Sequence, residues 1–228
     1  MSLGARAQGL PLSVDEALRG TVALGVLEAE GVRLDPLPPE FAEERDAAIA
    51  RLIAANAGRP TPDIPGVAET RALFHALDID PTKTRPSSEA LLRRVLQDKG
   101  LPVVNPAVDV CNLCSLEHQL PLGLYDRDRI RGALTVRLGR PGEGYDGIRK
   151  QHVHLTNRLL VADDEGPFGA PTSDSAHTAV SETTKNLLIV VFCPPERAGA
   201  QLSMALEQIA GRLGRYCSAE VVAVRILQ

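Results

Sequence analysis

Side chains that can hold a ligand are concentrated in one stretch of the chain, between Arg85 and Glu143. This stretch combines turn residues, helix signals and uncharged polar side chains that stand between apolar runs. Buried polar groups must either find partners or face a ligand. The pattern is therefore typical of the wall of a binding pocket.

The first half of this stretch contains an anion-binding pattern and a polar helix face. Arg85 precedes a predicted helix start, where a cation and backbone N–H groups together suit an anion. Asn105, Asp109 and Asn112 are spaced by four and three residues, which places them near one helix face. Two alternatives stay open, because Asn105 also fits a helix N-cap and Asp109 a local salt bridge.

The end of the stretch displays a carboxylate on a turn. Glu143 lies between Gly142 and Gly144, directly after a turn-rich segment that follows a predicted strand. Such a position presents the carboxylate beside a ligand. The alternative is a solvated turn residue without a binding role.

Cysteine and histidine residues do not complete a metal site in the sequence. Cys111 and Cys114 have CxxC spacing, but no second pair or suitable histidine cluster accompanies them. We expect both to be small apolar fillers of a buried helix. His152 and His154 alternate as strand residues do, which predicts that they share one face but is weak support for a metal. The sequence therefore predicts neither metal nor cofactor.

Composition limits the classes of protein and partner. Hydrophobic residues make up 44% of the 228 residues and aromatic residues only 3%, so the predicted core is aliphatic. A formal net charge of −4 argues against a DNA partner and against broad nucleic-acid binding. The absence of a long apolar run, a signal peptide and a disulfide framework predicts a cytoplasmic protein without a membrane partner.

Helix and strand signals predict an α+β fold. Strands are expected at 21–27, 120–124, 130–138, 155–161, 187–192 and 219–227. A first helix is expected from Glu40 to a point between Asn56 and Gly58, and a second over 67–77. Further helices are expected from a serine cap at Ser87 or its neighbour to Gly100, from Pro106 to about Leu116, and from Pro194 onward. Helices cluster in the first half and strands in the second, which favours α+β over strict βαβ alternation.

Several motifs in one order resemble a known family. Residues 85–96 (RPSSEALLRRVL), 99–112 (KGLPVVNPAVDVCN) and 120–145 (LPLGLYDRDRIRGALTVRLGRPGEGY) resemble the B3/B4 domain of the phenylalanyl-tRNA synthetase beta chain. The similarity is strongest to free-standing proteins built from that domain. Asp174–Thr178, followed by 183–186, resembles the closing motif of the family. The match covers roughly 66–192.

The resemblance implies a layered fold with β-sheets sandwiched among helices in a single domain, 1–228. Within it, 1–65 supplies an N-terminal strand and helix, 66–192 the core motifs, and 193–228 a C-terminal helix and strand. Combined with the residue patterns above, it predicts one substrate-binding set: Arg85, Asn105, Asp109, Asn112, Ser115, Glu143 and Thr178.

The resemblance also implies a function. In the synthetase this domain hydrolyses tyrosine wrongly attached to the phenylalanine tRNA, so we expect an editing-like domain that binds a tRNA 3′ end or an amino acid. A mischarged aminoacyl ester is the expected substrate of any hydrolysis, and aminoacylation is not expected. Hydrolysis needs a positioned water and oxyanion donors, but no residue is singled out as general base. Two alternatives stay open: a non-catalytic RNA- or amino-acid-binding module, and an enzyme acting on a small amine-bearing metabolite.

The chain departs from the family pattern in one place. Pro171, Thr172 and Ser173 precede Asp174, where the family leads us to expect aromatic and basic residues. Because of this departure, the sequence does not indicate which amino-acid side chain the bound ligand carries.

Overall fold

The computed structural model describes residues 9–148 and 151–228, so the first eight residues of the expected N-terminal segment lie outside it. The helices are α1 (Pro39–Ala55), α2 (Pro65–Ala76), α3 (Ser87–Leu96), α4 (Pro106–His118) and α5 (Ala200–Cys217). The strands are β1 (Leu12–Val14), β2 (Ala23–Glu30), β3 (Leu122–Asp126), β4 (Leu134–Leu138), β5 (Gly144–Asp146), β6 (His152–His154), β7 (Leu159–Asp163), β8 (Gly166–Gly169), β9 (Leu187–Cys193) and β10 (Glu220–Leu227).

A four-stranded antiparallel sheet, in the order β10-β2-β9-β3, forms the centre of the fold. Its strand β9 is buried at every residue, as a continuous β-branched and apolar run dictates. Alternate residues point to opposite faces. Ile189 and Val191 join the core cluster that contains residues of α1, α4 and α5, whereas Leu188 and Val190 join a second cluster.

The second cluster is completed by another sheet, in the order β1-β4-β7-β8. Leu134, Val136, Leu159 and Val161 of this sheet pack with the second face of the central sheet. A two-stranded sheet, β5-β6, lies beside it. The arrangement is a helical layer, a central sheet and a second sheet, which confirms the predicted α+β fold with sheets sandwiched among helices.

Helix boundaries follow the expected chemistry except at α3. Pro39 and Pro106 occupy first-turn positions of α1 and α4, where the missing N–H has no partner to lose. At α3 the N-cap is Pro86, and Ser87 is the first helical residue and makes no cap bond. The expected serine cap is therefore not formed.

Other differences arise where turn chemistry interrupts a pattern. A 3-10 turn over Pro195–Arg197 precedes α5, so the predicted helix begins at Ala200 instead of Pro194. The strand predicted at 130–138 begins only at Leu134, because the chain bends at Gly132, which has a positive φ of 73°. The short strands β1, β5 and β8 were not predicted, because three or four residues give too little periodicity.

The helices of the described residues include none with the length and apolar character needed to cross a membrane.

Candidate functional site

One ionisable group with a strongly shifted pKa is the carboxyl of Asp174, in the loop that follows β8. Its Oδ1 atom is buried and has no hydrogen-bond partner in the described residues, while Oδ2 accepts a long bond of 3.4 Å from the Leu124 amide. Burial raises the pKa of this carboxyl to about 7, although the amides of Leu124 and Ala170 and the Tyr125 hydroxyl partly offset the effect. A carboxyl with this pKa exchanges a proton near neutral pH, as acid–base chemistry requires.

Aromatic and small residues from two strands surround the Tyr125 side chain, which lies beside this carboxyl. Tyr125 of β3 is fully buried, and its ring meets Phe168 edge-on at 4.8 Å. A Cβ atom at Gly123 or at Gly169 would overlap the Tyr125 hydroxyl, so both positions must lack a side chain. The hydroxyl lies next to the Asp174 carboxyl but lacks the geometry of a full hydrogen bond.

The Asp174 loop is anchored at several points. The Tyr145 hydroxyl donates to the Ser173 carbonyl at 2.5 Å, and the Ala176 amide donates to the Asp146 carbonyl at 2.8 Å. On the other side, the Ser87 amide at the start of α3 donates to the Pro171 carbonyl at 2.9 Å. These bonds fix the position of the carboxyl between α3, β5 and β3.

An open cavity of about 590 Å³ borders the same loop. It is lined by Tyr145, Phe168, Ser175 and His177, together with the acidic residues Asp163 and Glu165. Tyr145 is common to the cavity and to the surroundings of Asp174. Burial is the main reason that the pKa of the Tyr145 phenol is raised, and the Asp174 charge adds to it. A cavity of this size can accommodate a small organic ligand.

Two of the seven predicted site residues lie together in a different cavity. Asn105 and Asp109 line a space of about 430 Å³ between the start of α1 and the start of α4. The Asn105 side chain accepts from the Val108 amide at 3.0 Å, as an N-cap does, and Asp109 accepts from the Val104 amide at 2.9 Å. Burial raises the pKa of Asp109. The N-cap alternative for Asn105 is thus realised.

The two remaining predicted residues of α4 have different environments. Ser115 is buried, and its hydroxyl donates to the Leu120 carbonyl at 2.7 Å, which links the end of α4 to the following turn. Asn112 is half-buried, and its side chain has no hydrogen bond to another described residue. Asn112 therefore keeps its hydrogen-bonding capacity for a ligand, whereas Ser115 uses it within the fold. Their roles in substrate binding stay predictions.

Glu143 is neither displayed freely beside a cavity nor a solvated turn residue, the two environments expected from the sequence. Its carboxylate receives two bonds from the Arg137 guanidinium, at 2.6 and 2.7 Å, and a third from the Arg140 amide at 2.6 Å. Hydrogen bonding to Arg137 is the main reason that the pKa of Glu143 falls to about 2. These contacts tie the β4–β5 turn to β4, and a ligand would have to compete with them.

Thr178 and Arg85 complete the predicted set. Thr178 is fully buried; its Oγ1 has no partner in the described residues, and its carbonyl accepts from the Asp126 amide at 2.8 Å. Arg85 is exposed, and its Nε lies 3.7 Å from an oxygen of the buried Glu89. A substrate-binding role for either residue stays a prediction.

The cysteines are buried and the two β6 histidines share a face, as expected, but Cys114 is not a purely apolar filler because its Sγ accepts a hydrogen bond from Arg212. All four cysteines are free and buried, and burial raises the pKa of Cys114 to about 11. His152 and His154 share one face of β6, with ring centroids 4.8 Å apart. In the described ranges, 9–148 and 151–228, no three His, Cys, Asp or Glu side chains are grouped so that they could hold a metal ion.

Sequence reasoning missed the functional potential of Asp174 and its two tyrosines. Asp174 was part of the closing motif, but nothing in the sequence says that its carboxyl points inward. One signal was present: residues 166–173 contain no charged side chain, so an acidic residue directly after them has no basic neighbour in the chain. The roles of Tyr125 and Tyr145 could be recognised only from the fold, because the strands that carry them, β3 and β5, are separated in sequence.

Comparisons with known proteins agree with this architecture. A family model described as the B3/4 domain matches residues 69–212, more than half of the chain. The phenylalanine–tRNA ligase beta subunit of Streptomyces avermitilis is 38% identical over 105 residues, which are 44% of this chain and 12% of that protein. The corresponding subunit of Neisseria meningitidis serogroup B is 30% identical over 125 residues, which are 53% of this chain and 16% of that protein.

A solved structure shows the same fold at low sequence identity. It is an N-terminal fragment of the phenylalanyl-tRNA synthetase beta subunit from Pyrococcus horikoshii, with a TM-score of 0.50 and 16% identity over 95% of this chain and 51% of that one. The matched part of the chain corresponds to only 12% and 16% of the two curated subunits. Because the model of the B3/4 domain family matches residues 69–212, the chain belongs to that family.

Proposed function

We propose that this domain binds the aminoacyl end of a tRNA and hydrolyses a mischarged ester in trans. The observation that carries the proposal is the buried Asp174 carboxyl, whose pKa lies near 7 and whose Oδ1 atom has no partner in the described residues. Membership of the B3/4 family and the similarity to phenylalanine–tRNA ligase beta subunits support the choice of ligand.

The reaction needs a group that takes a proton from water. As a carboxylate, Asp174 accepts that proton while the water oxygen bonds to the ester carbonyl carbon. The ester C–O bond then breaks, and the proton passes to the departing ribose oxygen. Asn112, whose amide makes no hydrogen bond to another described residue, is available to orient the water or to donate to the developing oxyanion.

The proposal is tested by incubating the protein with a panel of mischarged tRNAs and following deacylation. We expect one ester to be hydrolysed and Asp174→Asn to abolish most of the turnover. Asp46→Asn, an equal change of charge on the exposed side of α1, is the matched control and should leave turnover unaltered. If the panel shows no hydrolysis above the spontaneous rate, the hydrolase is rejected.

A second candidate function is a non-catalytic module that binds RNA or an amino acid. The observation in its favour is that three predicted site residues are engaged in the fold: Asn105 as a cap, Ser115 with a carbonyl, and Glu143 with Arg137. Binding of a tRNA or an amino acid to the intact protein, with every ester left unhydrolysed, would establish this alternative.

A further inference from the structure

Three arginines surround one buried carboxylate at the start of α3. The Glu89 side chain is only 1% exposed, and its Oε1 atom lies 2.7 Å from Arg71, 3.4 Å from Arg93 and 3.7 Å from Arg85. We call these four residues the arginine cluster. Since one carboxylate neutralises one guanidinium, the cluster keeps two positive charges.

The three arginines are not equivalent. Arg71 is bound in fork geometry to both oxygens of Glu89, at 2.7 and 2.8 Å, and its side chain is largely buried. Arg85 and Arg93 are 42% and 39% exposed and approach only Oε1. Arg71 thus balances the buried carboxylate, and the other two guanidiniums are additional charge at the surface.

Most donors of the two exposed guanidiniums are unused. A guanidinium carries five N–H donors. Arg93 uses one, in its 3.4 Å bond to Glu89, and Arg85 makes no hydrogen bond within the described ranges. Two like charges near one oxygen repel each other, and an anion with several acceptor oxygens placed between them would relieve the repulsion and satisfy the free donors.

Other charges near the cluster, within the described part of the chain, do not cancel this excess. Asp80 acts electrostatically on Arg71, but it is itself paired with Lys83 at 3.8 Å. With Asp80 and Lys83 counted, the local charge is still two positive units, although the whole chain has a net charge of −4. A concentrated patch on an acidic protein selects for anions at that point and not over the whole surface.

The cluster adjoins the loop of the candidate site. Arg85 lies two residues before Ser87, whose amide donates to the Pro171 carbonyl, three residues before Asp174. The Ser87 hydroxyl is buried and has no partner in the described part of the chain. An anion held by Arg85 and Arg93 would therefore lie on the α3 side of the Asp174 loop.

We propose that Arg85 and Arg93, held together by Glu89, bind a backbone phosphate of a single-stranded RNA end that leads to the Asp174 loop. This inference rests on the proposed function, since it assigns the phosphate contact to a ligand that the function names. Arginine suits the role because its planar fork matches phosphate oxygens. A polynucleotide is favoured over a free anion because the neighbouring loop holds the group expected to act on the rest of the ligand.

The test uses a fluorescent, unesterified RNA oligonucleotide with the sequence of a tRNA 3′ end, titrated with the full chain at several salt concentrations. In the Arg85→Gln/Arg93→Gln variant we expect about tenfold weaker binding. The slope of log K against log salt should fall by about 0.7 to 1, the contribution of one phosphate contact. Arg71 still neutralises Glu89 when both side chains are replaced, so the variant should keep the thermal stability of the parent.

The matched control is Arg94→Gln. Arg94 lies on the same helix, is exposed and donates to the Lys99 carbonyl, outside the cluster. We expect it to keep the binding and the salt slope of the parent. An equal loss in Arg94→Gln would overturn the inference, because the effect would then come from overall charge.

Further outcomes separate this inference from the proposed function. If the cluster variant binds the oligonucleotide as the parent does, the phosphate site is wrong, whatever the deacylation panel shows. If inorganic phosphate binds the parent as tightly as the oligonucleotide does, the site is for a small anion and the RNA assignment is overturned. If the oligonucleotide result is as expected but no ester is hydrolysed, the phosphate site stands and the hydrolase fails.

Discussion

Two carboxyl groups of this protein, Asp174 and Glu143, have opposite electrostatic surroundings. The Glu143 carboxylate receives three short hydrogen bonds and is held ionised, with a pKa of about 2. The Asp174 carboxyl is buried, no cation among the described residues forms an ion pair with it, and its pKa is about 7. One group is locked into the fold, whereas the other can change its protonation state near neutral pH.

This difference shows why the type of residue and its turn context do not identify a site. Glu143 lies between glycines, which suggested display beside a ligand, but Arg137 from β4 takes up both of its oxygens. Asp174 comes after an uncharged segment, and the fold leaves one of its oxygens without a partner in the described residues. The partner, and not the position in a turn, decides which carboxyl is chemically available.

The largest expected effect is on turnover. Asp174→Asn should slow deacylation by about 100- to 1,000-fold, because an amide cannot accept the proton of the attacking water. Glu143→Gln should change the rate by less than about threefold, because the Glu143 carboxylate is already engaged by Arg137 and the Arg140 amide. Single-turnover rates of both variants on the same ester make the comparison. Equal losses would mean that both carboxyls belong to the site.

The next effect is on stability and its pH dependence. The folded-state pKa of Asp174 lies above the ordinary value of 3.8, so the unfolded chain loses this proton first. As the pH rises from about 4 to about 7, the contribution of this group should therefore lower the free energy of unfolding by as much as about 4 kcal/mol. Above that range the contribution should stay constant. Asp174→Asn should remove this decline. Denaturant unfolding across the pH range, with Asp46→Asn as control, measures it.

The opposite sign is expected for Glu143. Its pKa lies below the ordinary value of 4.5, so its stabilising contribution is complete above about pH 4.5 and is lost as the pH falls toward 2. Glu143→Gln should lower the free energy of unfolding at pH 7 by about 1–2 kcal/mol, since the pair is partly exposed to solvent. The difference from the parent should shrink in acid. A constant difference at all pH values would contradict the proposed ion pair.

The smallest effect concerns the tyrosine that holds the Asp174 loop. Tyr145→Phe removes the bond to the Ser173 carbonyl and should cost about 0.5–1.5 kcal/mol. Tyr216→Phe removes another tyrosine hydroxyl bond, which joins α5 to the Glu44 carboxylate of α1. We expect the titration of Asp174, followed by carboxyl NMR, to shift toward its ordinary value only in Tyr145→Phe. The same shift in both variants would mean that the Tyr145–Ser173 bond does not specifically control the protonation of Asp174.

Local patterns predicted much of this fold. The apolar run of β9, the proline at the start of α4 and the alternation of His152 and His154 are local signals, and each gave the correct element. The short strands β1, β5 and β8 gave no such signal, since pairing with distant strands defines them.

The site was less predictable because its groups come together only in three dimensions. Asp174, Tyr125 and Tyr145 lie on three separate segments, and the raised pKa of Asp174 follows from their packing. The cap at Asn105 illustrates the converse case. Its N-cap partner is three residues away, so the sequence already contained that alternative.

The bond between the Ser87 amide and the Pro171 carbonyl has a consequence for cooperativity. Proline has no N–H, so this carbonyl is the only backbone hydrogen-bonding group of Pro171, and the helix is joined to the loop there through it. A ligand that restricts the start of α3 would also restrict the loop. The conformational entropy of this joined segment would then be lost only once for both halves of the ligand. The two halves of an aminoacylated RNA end would then bind more tightly when joined than their separate affinities predict.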